Sequence, residues 1–250
     1  MRFFVGLHQP SDAHRFSSSF ISVNRVRGRK RPFMVGDWIM DSGAFTEVST
    51  HGRYRHDVAE YANQVARWKD NGNMLAAVSQ DYMCEPFILQ KTGMNVGEHQ
   101  ALTINRYDEL LRYDTGAYIM PVLQGFAPWE YVSHLRQYDN KLALGAWVGV
   151  GSVCKRNAEP TSVWRVLAAI KQVRPDLRLH GFGLKMTALA DASIRELLHT
   201  SDSMAWSYHA RMHGRSGNDW REAAWMVDKV SALCEGRVPQ GFVEWSQNSP

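Results

Sequence analysis

Short apolar runs alternate with stretches of helical periodicity along most of the chain. Val58, Tyr61, Ala62, Val65 and Trp68 fall on one face of a 3.6-residue repeat, as do Val163, Val166, Leu167, Ile170 and Val173, and later Ala223, Met226, Val227, Val230 and Leu233. Each set predicts an amphipathic helix. Between them lie shorter runs that predict strands: Phe3 to Leu7, Trp38 to Met40, Leu75 to Val78, Tyr118 to Leu123, Ala146 to Val150, Leu177 to Leu179, and a short one near Asp202. Alternation of strand and helix argues for a parallel sheet covered by helices, because parallel neighbours need a crossover and a helix is the usual one. The visible strands are one short of a closed (β/α)8 TIM-type barrel, which need not be regular. The eighth is expected near Phe20 to Val26 or after Arg215. An open doubly wound sheet is the alternative. No repeat, low-complexity tract or linker divides the sequence, so residues 1–250 are read as one domain, with a frayed or surface-docked tail from Gln240 to Pro250.

Polar residues recur at one place in this rhythm, the C-terminal end of an apolar strand. Asp41 follows Trp38-Ile39-Met40, Asp81 follows Val78-Ser79-Gln80, Gln124 follows Val122-Leu123, and Asp202 precedes Met204-Ala205-Trp206. In a parallel α/β fold all strand C-termini share one face, so these four side chains converge. Two glycine-rich stretches, Gly145 to Gly151 and His180-Gly181-Phe182-Gly183, end further strands, where glycine lets backbone approach a flat ligand. Each feature has a plainer reading. A single Asp at a strand end is more often a helix cap than a catalyst, and Gln124-Gly125 can be an ordinary turn. Other chemistries fail on their patterns. Gly149-Val150-Gly151 lacks the last glycine of a nucleotide fingerprint, because Cys154 stands there. His209 and His213 lack the HExxH context of a zinc pair, and no GxSxG, phosphate loop or Cys/His nucleophile pattern occurs. Paired carboxylates remain.

The 250 residues suit a single barrel, and no apolar run approaches the roughly 20 residues of a membrane span. The segment Met1 to Leu7 is too short for a signal peptide and alternates like a strand. Cys84, Cys154 and Cys234 are isolated, which fits a reducing cytoplasm and offers no disulfide framework or metal site. The net charge of +4 matters less than its clustering. Arg25, Arg27, Arg29, Lys30 and Arg31 form one basic run, and His209, Arg211, His213 and Arg215 another. Either alone is as readily a solvated loop; together they point to a polyanion such as nucleic acid.

At these residues the sequence resembles the tRNA-guanine transglycosylase superfamily, and more closely its DNA-modifying branch, the DpdA-type DNA 7-deazaguanine transglycosylases of phages and bacteria. Met40-Asp41-Ser42-Gly43-Ala44-Phe45 resembles the segment carrying the family's general acid/base, and Ser79 to Pro86 the segment whose Asp reads the guanine edge. Val122-Leu123-Gln124-Gly125 resembles the VQGG stretch, Gly145 through Gly151 the base-binding strand end, His180 to Gly183 the MGVG turn, and Ser201-Asp202-Ser203 the segment of the nucleophile. All six occur in the family's order between residues 40 and 215. The resemblance implies Asp202 and Asp41 as catalytic residues. It implies Ser42, Asp81, Gln124, Gly125, Gly149, Gly181 and Gly183 as substrate-binding residues. The departures are Phe126 in place of the second glycine of VQGG, Gly145-Ala146-Trp147 in place of Gly-Gly-Leu, and no cysteine cluster for the zinc of the tRNA-acting members.

The chemistry suits these residues: a carboxylate can attack the sugar C1′ and hold a covalent intermediate while one base leaves and another enters, and a second carboxyl can shuttle the proton. Expected partners are therefore DNA, contacted by Arg25, Arg27, Arg29, Lys30, Arg31, Arg211 and Arg215, and a free 7-deazaguanine base, with no metal and no cofactor. Location in a cytoplasm, the host's for a phage-encoded chain, is expected. Tyr82, Phe45, Met186 or Trp147 could sandwich the purine, and a backbone N–H near Gly149 could meet its O6. The rivals are a transglycosylase acting on tRNA, a non-catalytic nucleic-acid-binding barrel, and a metal-dependent barrel hydrolase, for which no HxH pair is found.

Overall fold

A computed structural model describes residues 1–154 and 159–237. The strands are parallel: β1 Arg2–Gly6, β2 Ser18–Ser22, β3 Asp37–Asp41, β4 Asn73–Val78, β5 Ile119–Met120, β6 Val122–Leu123, β7 Trp147–Val150, β8 Arg178–Gly181 and β9 Thr200–Ser203, the last without an apolar residue. Their order is β5-β4-β3-β2-β1-β9-β8-β7-β6. The outermost members, β5 and β6, are halves of one strand interrupted at Pro121. Proline has no N–H for a ladder, and pairing changes sides around it. The Met120 carbonyl accepts from Ser79 N–H of the segment leaving β4 at 2.9 Å, and the Pro121 carbonyl accepts from Gly149 N–H of β7 at 2.8 Å. A single strand thus joins both ends of the sheet, which curls into an irregular TIM-type barrel rather than an open doubly wound sheet.

The eighth strand is β2, lying only partly in its expected window. Ser22 caps a helical turn there, its hydroxyl accepting from Asn24 N–H at 3.4 Å, so Val23–Val26 become α1. The other helices are α2 Ala44–His51, α3 Val58–Trp68, α4 Pro86–Thr92, α5 Val96–Leu110, α6 Pro128–Gln137, α7 Pro160–Val173, α8 Met186–Leu189, α9 Ala192–Leu197, α10 Ala205–Met212 and α11 Trp220–Cys234. Periodicity located α3, α7 and α11; of the residues assigned to their stripes, Val173 ends α7 and is 41% exposed. It overlooked α5, whose inner face includes His99, Gln100 and Thr103 and so carries no clean apolar stripe. That helix is started by a capping box between Asn95 and Glu98. The expected tail, Gln240 to Pro250, lies outside the described residues. Among the described residues no helix is long and apolar enough to cross a membrane.

Side chains alternate across the barrel wall, apart from a bulge in β4 where Leu75 and Ala76 both pack inward. Phe4, Phe20, Ile39, Ala76, Val78, Met120, Val122 and Trp147 fill the lumen. Their neighbours Val5, Ile21, Met40, Ala77, Leu123 and Val148 pack outward under the helices. The same parity turns Asp41, two residues past Ile39, and His180, next to the outward Leu179, toward the lumen.

Candidate active site

Because every strand is parallel, the C-terminal ends of β3 and β9 open on one mouth. Asp41 is the last residue of β3 and Asp202 lies within β9, so both carboxylates stand in the barrel wall rather than on loops beyond it. Asp202 is 5% exposed. Its Oδ1 accepts from Gly183 N–H at 3.0 Å and lies 3.2 Å from His180 Nε2, whereas its Oδ2 has no hydrogen-bond partner among the described residues. Asp41 accepts from Gly43 N–H at 3.1 Å and from the Ser22 side chain. Burial, and then the negative charge of Asp202, pushes the Asp41 carboxyl up to about 6. A group poised there can hold or release a proton near neutrality.

The turn after Asp41 requires its glycine. Gly43 sits at φ +77°, and a Cβ there would come 2.5 Å from Asn24 Nδ2. Ser42 is buried, its Oγ 3.5 Å from Tyr54 Oη, which in turn donates to the Asp81 carbonyl at 2.9 Å.

Asp81 is 5% exposed, three residues past the end of β4. Burial pushes its carboxyl up to about 7, opposed by the hydrogen bond from Gln124 and reinforced by the charge of Asp41. The Gln124 Nε2 donates to Asp81 Oδ2, and its Oε1 accepts from Ser152 Oγ at 2.7 Å. Both expected base-reading side chains are therefore present and in contact, but they are engaged with one another. Nearby, Gln80 Oε1 accepts from Arg106 Nη1 at 2.7 Å, and the Arg106 guanidinium lies 4.5 Å from the centre of the Tyr54 ring. With its oxygen held this way, the Gln80 Nε2 is a buried donor without a partner among the described residues. Neither Gln80 nor Arg106 was legible as a site residue, since nothing in the sequence ties α5 to the end of β4.

The glycines divide. Gly183, at φ +62°, supplies the N–H that holds Asp202. Gly149 gives its N–H to Pro121, so that amide is not available to a purine O6, and a Cβ on it would strike the Phe182 ring at 2.3 Å. Gly149 thus makes room for the Phe182 ring. Gly181 packs toward Leu184 and Leu198, and Gly125 toward Glu130 and Tyr131, so both serve close packing. Of the candidate sandwiching rings and chains, Met186 is core, Tyr82 is packed edge-on to Tyr54 and His99, and Trp147 stands at the far, N-terminal end of the barrel. Phe45, at the start of α2, is 48% exposed beside Asp41's strand end.

The basic residues also separate. Arg25 is exposed on α1, with its Nη2 3.1 Å from His8 Nδ1, and Arg211 is exposed on α10. Arg25 and then Arg211 help to depress His8, after burial, which places the three together above β1, β2 and β9. Arg27 is held by both oxygens of Glu60, at 3.0 and 3.1 Å, and Arg215 is paired with Glu222. Arg29, Lys30 and Arg31 follow the chain away from this mouth; Arg67, near the distal end of α3, donates to the Arg29 carbonyl.

Among the described residues no three His, Cys, Asp or Glu side chains are arranged to hold a metal ion. A search of curated proteins returned no match. The family model DpdA, DeoxyPurine in DNA protein A, matches residues 1–222, a stretch that contains every aspartate, glutamine and arginine described above, and the chain belongs to this family of DNA-modifying transglycosylases.

Proposed function

We propose that the chain exchanges guanine in DNA for a 7-deazaguanine base by double displacement. The observation that carries this reading is the pair of inward-facing aspartates at one barrel mouth, one held through a single oxygen and the other tuned toward neutrality. Asp202 Oδ2 attacks C1′ of the deoxyribose, forming a C–O bond as the bond from C1′ to guanine N9 breaks. The departing guanine takes a proton from Asp41. The incoming 7-deazaguanine gives its N9 proton back to Asp41 and attacks C1′, and the bond to Asp202 breaks. Two inversions leave the anomeric configuration unchanged, as in retaining glycosidases.

Recognition uses the next layer of the site. An ionised Asp81 accepts from guanine N1–H and N2–H, and an amide N–H of Gln124 or Gln80 donates to O6. Adenine reverses that pattern and leaves buried groups unpaired, so it is rejected. The cluster of His8, Arg25 and Arg211 is the part of the rim suited to the phosphates of a flipped or unpaired nucleotide.

The test is incubation with guanine-containing DNA or tRNA and 7-cyano-7-deazaguanine, followed by nucleoside mass spectrometry, with Asp202→Ala in parallel. Deazaguanosine in DNA, absent with the variant, is the expected result. Label in tRNA alone would assign the chain to RNA, and label in neither polymer with any deazaguanine would refute the exchange.

A further inference from the structure

The lumen beneath Asp202 contains a polar chain that crosses the barrel floor and has no part in the reaction as written above. Trp147 Nε1 lies 2.8 Å from Thr200 Oγ1, Thr200 Oγ1 lies 2.8 Å from His180 Nδ1, and His180 Nε2 lies 3.2 Å from Asp202 Oδ1. His180 is fully buried and Thr200 nearly so. Aromatic side chains surround the imidazole: Phe20 is stacked on it at 5.6 Å and 15°, and Phe182 meets it edge-on at 4.7 Å. A buried histidine among aromatics is, on its own, a core residue. The direction of the hydrogen bonds makes this one more.

An indole N–H can only donate, so Thr200 Oγ1 accepts from Trp147. That hydroxyl can still either donate its proton or accept a second bond, and the Asp202 carboxylate decides which: a carboxylate only accepts, so the nitrogen facing it, Nε2, carries the one proton of the neutral His180 ring and the Thr200 hydroxyl donates to Nδ1. Nδ1 is therefore the acceptor nitrogen, Nε2 carries the proton, and Nε2–H donates to Asp202 Oδ1. With Gly183 N–H on the same oxygen, Oδ1 holds two donors, and Oδ2 has none among the described residues.

We propose that His180 is a positioning residue for the nucleophile: the relay Trp147–Thr200–His180 locks one imidazole tautomer, which pins Oδ1 of Asp202 and selects Oδ2 as the attacking atom. The proposal rests on the reading of Asp202 as nucleophile. It also accounts for the residue type, since the side chain must be flat enough to lie on Phe20 and carry an acceptor on one edge and a donor on the other. No proton moves along the chain; the relay fixes orientation, and loss of an attack geometry by about 1 Å lowers rates roughly 100-fold.

Two measurements test it. Nitrogen NMR of the 15N-histidine-labelled resting protein should show His180 with an unprotonated Nδ1 and a protonated Nε2; the reverse tautomer would overturn the proposal. This result is independent of turnover, so it stands apart from any failure to detect exchange, which bears on the reaction alone. In the exchange assay, His180→Leu and Thr200→Val should each lower kcat by about 100-fold with little change in KM for DNA or free base. Thr200→Ser and His180→Gln, which restore a hydroxyl and an N–H donor, should recover part of the loss. Thermal melting separates misfolded variants from folded ones; a folded His180→Leu or Thr200→Val with wild-type kcat would overturn the proposal, as would a loss seen only in KM.

Discussion

Replacing Asp81 by Asn should make the protein more stable and inactive at once. In the folded chain Asp81 is buried and its carboxyl is raised from 3.8 to about 7, so between those values the native state holds a proton that the unfolded chain has released. Where the native state binds more protons, stability falls as pH rises. The penalty is absent below about pH 4, grows through the interval, and is complete above pH 7. A displacement of about 3 pH units corresponds to about 4 kcal/mol at 1.36 kcal/mol per unit, a ceiling because Asp41 and Glu85 share the same field. Asn keeps the oxygen that accepts from Gln124 Nε2 and removes the charge, so about 2 kcal/mol of added stability at pH 8 is expected. For a chain of this size that is a rise in Tm of roughly 4–8 °C. Urea denaturation of both proteins at pH 8 and pH 5 measures it, and the gain should shrink by more than half at the lower pH. An Asn variant no more stable than the wild type at pH 8, or one whose advantage ignores pH, would refute the argument that Asp81 is held at a functional site against its solvation. Exchange should meanwhile fall below detection, because the amide presents only one acceptor to N1–H and N2–H.

The exchange rate should follow a bell-shaped pH profile with its maximum between about 6 and 7. Asp81 must be ionised to read guanine while Asp41 must carry a proton when guanine leaves, so the limbs report the coupled carboxylates; a flat profile from pH 5 to 9 would contradict those roles. Gly43→Ala should destabilise the fold by about 1–2 kcal/mol in chemical denaturation, because φ +77° and the Asn24 contact both oppose a Cβ, and should lower kcat by displacing the N–H that Asp41 accepts; unchanged stability and kcat would show that the turn tolerates a side chain. Arg25→Ala should reduce the salt dependence of DNA binding by about one phosphate contact. Arg27→Ala, which removes the pair with Glu60, should lower thermal stability and leave that slope alone; equal slopes for both variants and the wild type would remove Arg25 from the DNA surface.

Periodicity and strand-end placement were sufficient for a parallel sheet covered by helices, with the barrel as its expected form, and for the four polar side chains at or just past the strand ends. Both signals are local: a strand buried on both faces is an apolar run, and Asp41, Asp81 and Gln124 end or follow such runs, whereas Asp202 lies in the all-polar strand Thr200–Ser203 and was marked by the apolar Met204-Ala205-Trp206 after it, which open a helix. The family could be read from the order of the segments for the same reason. Barrel closure through Pro121 was not legible, because one strand pairing to two different neighbours is a property of the whole sheet. Nor could the sequence show that Arg27 and Arg215 are neutralised by Glu60 and Glu222, whose approach depends on how helices dock. The same limit separates Gly149 and Gly181, which make room for neighbouring side chains, from Gly183, whose amide holds Asp202. His180 shows the difference most directly. Its strand and its inward parity are sequence properties, but its value lies in Thr200 and Trp147, residues from two neighbouring strands whose register alone aligns an indole, a hydroxyl and an imidazole under Asp202.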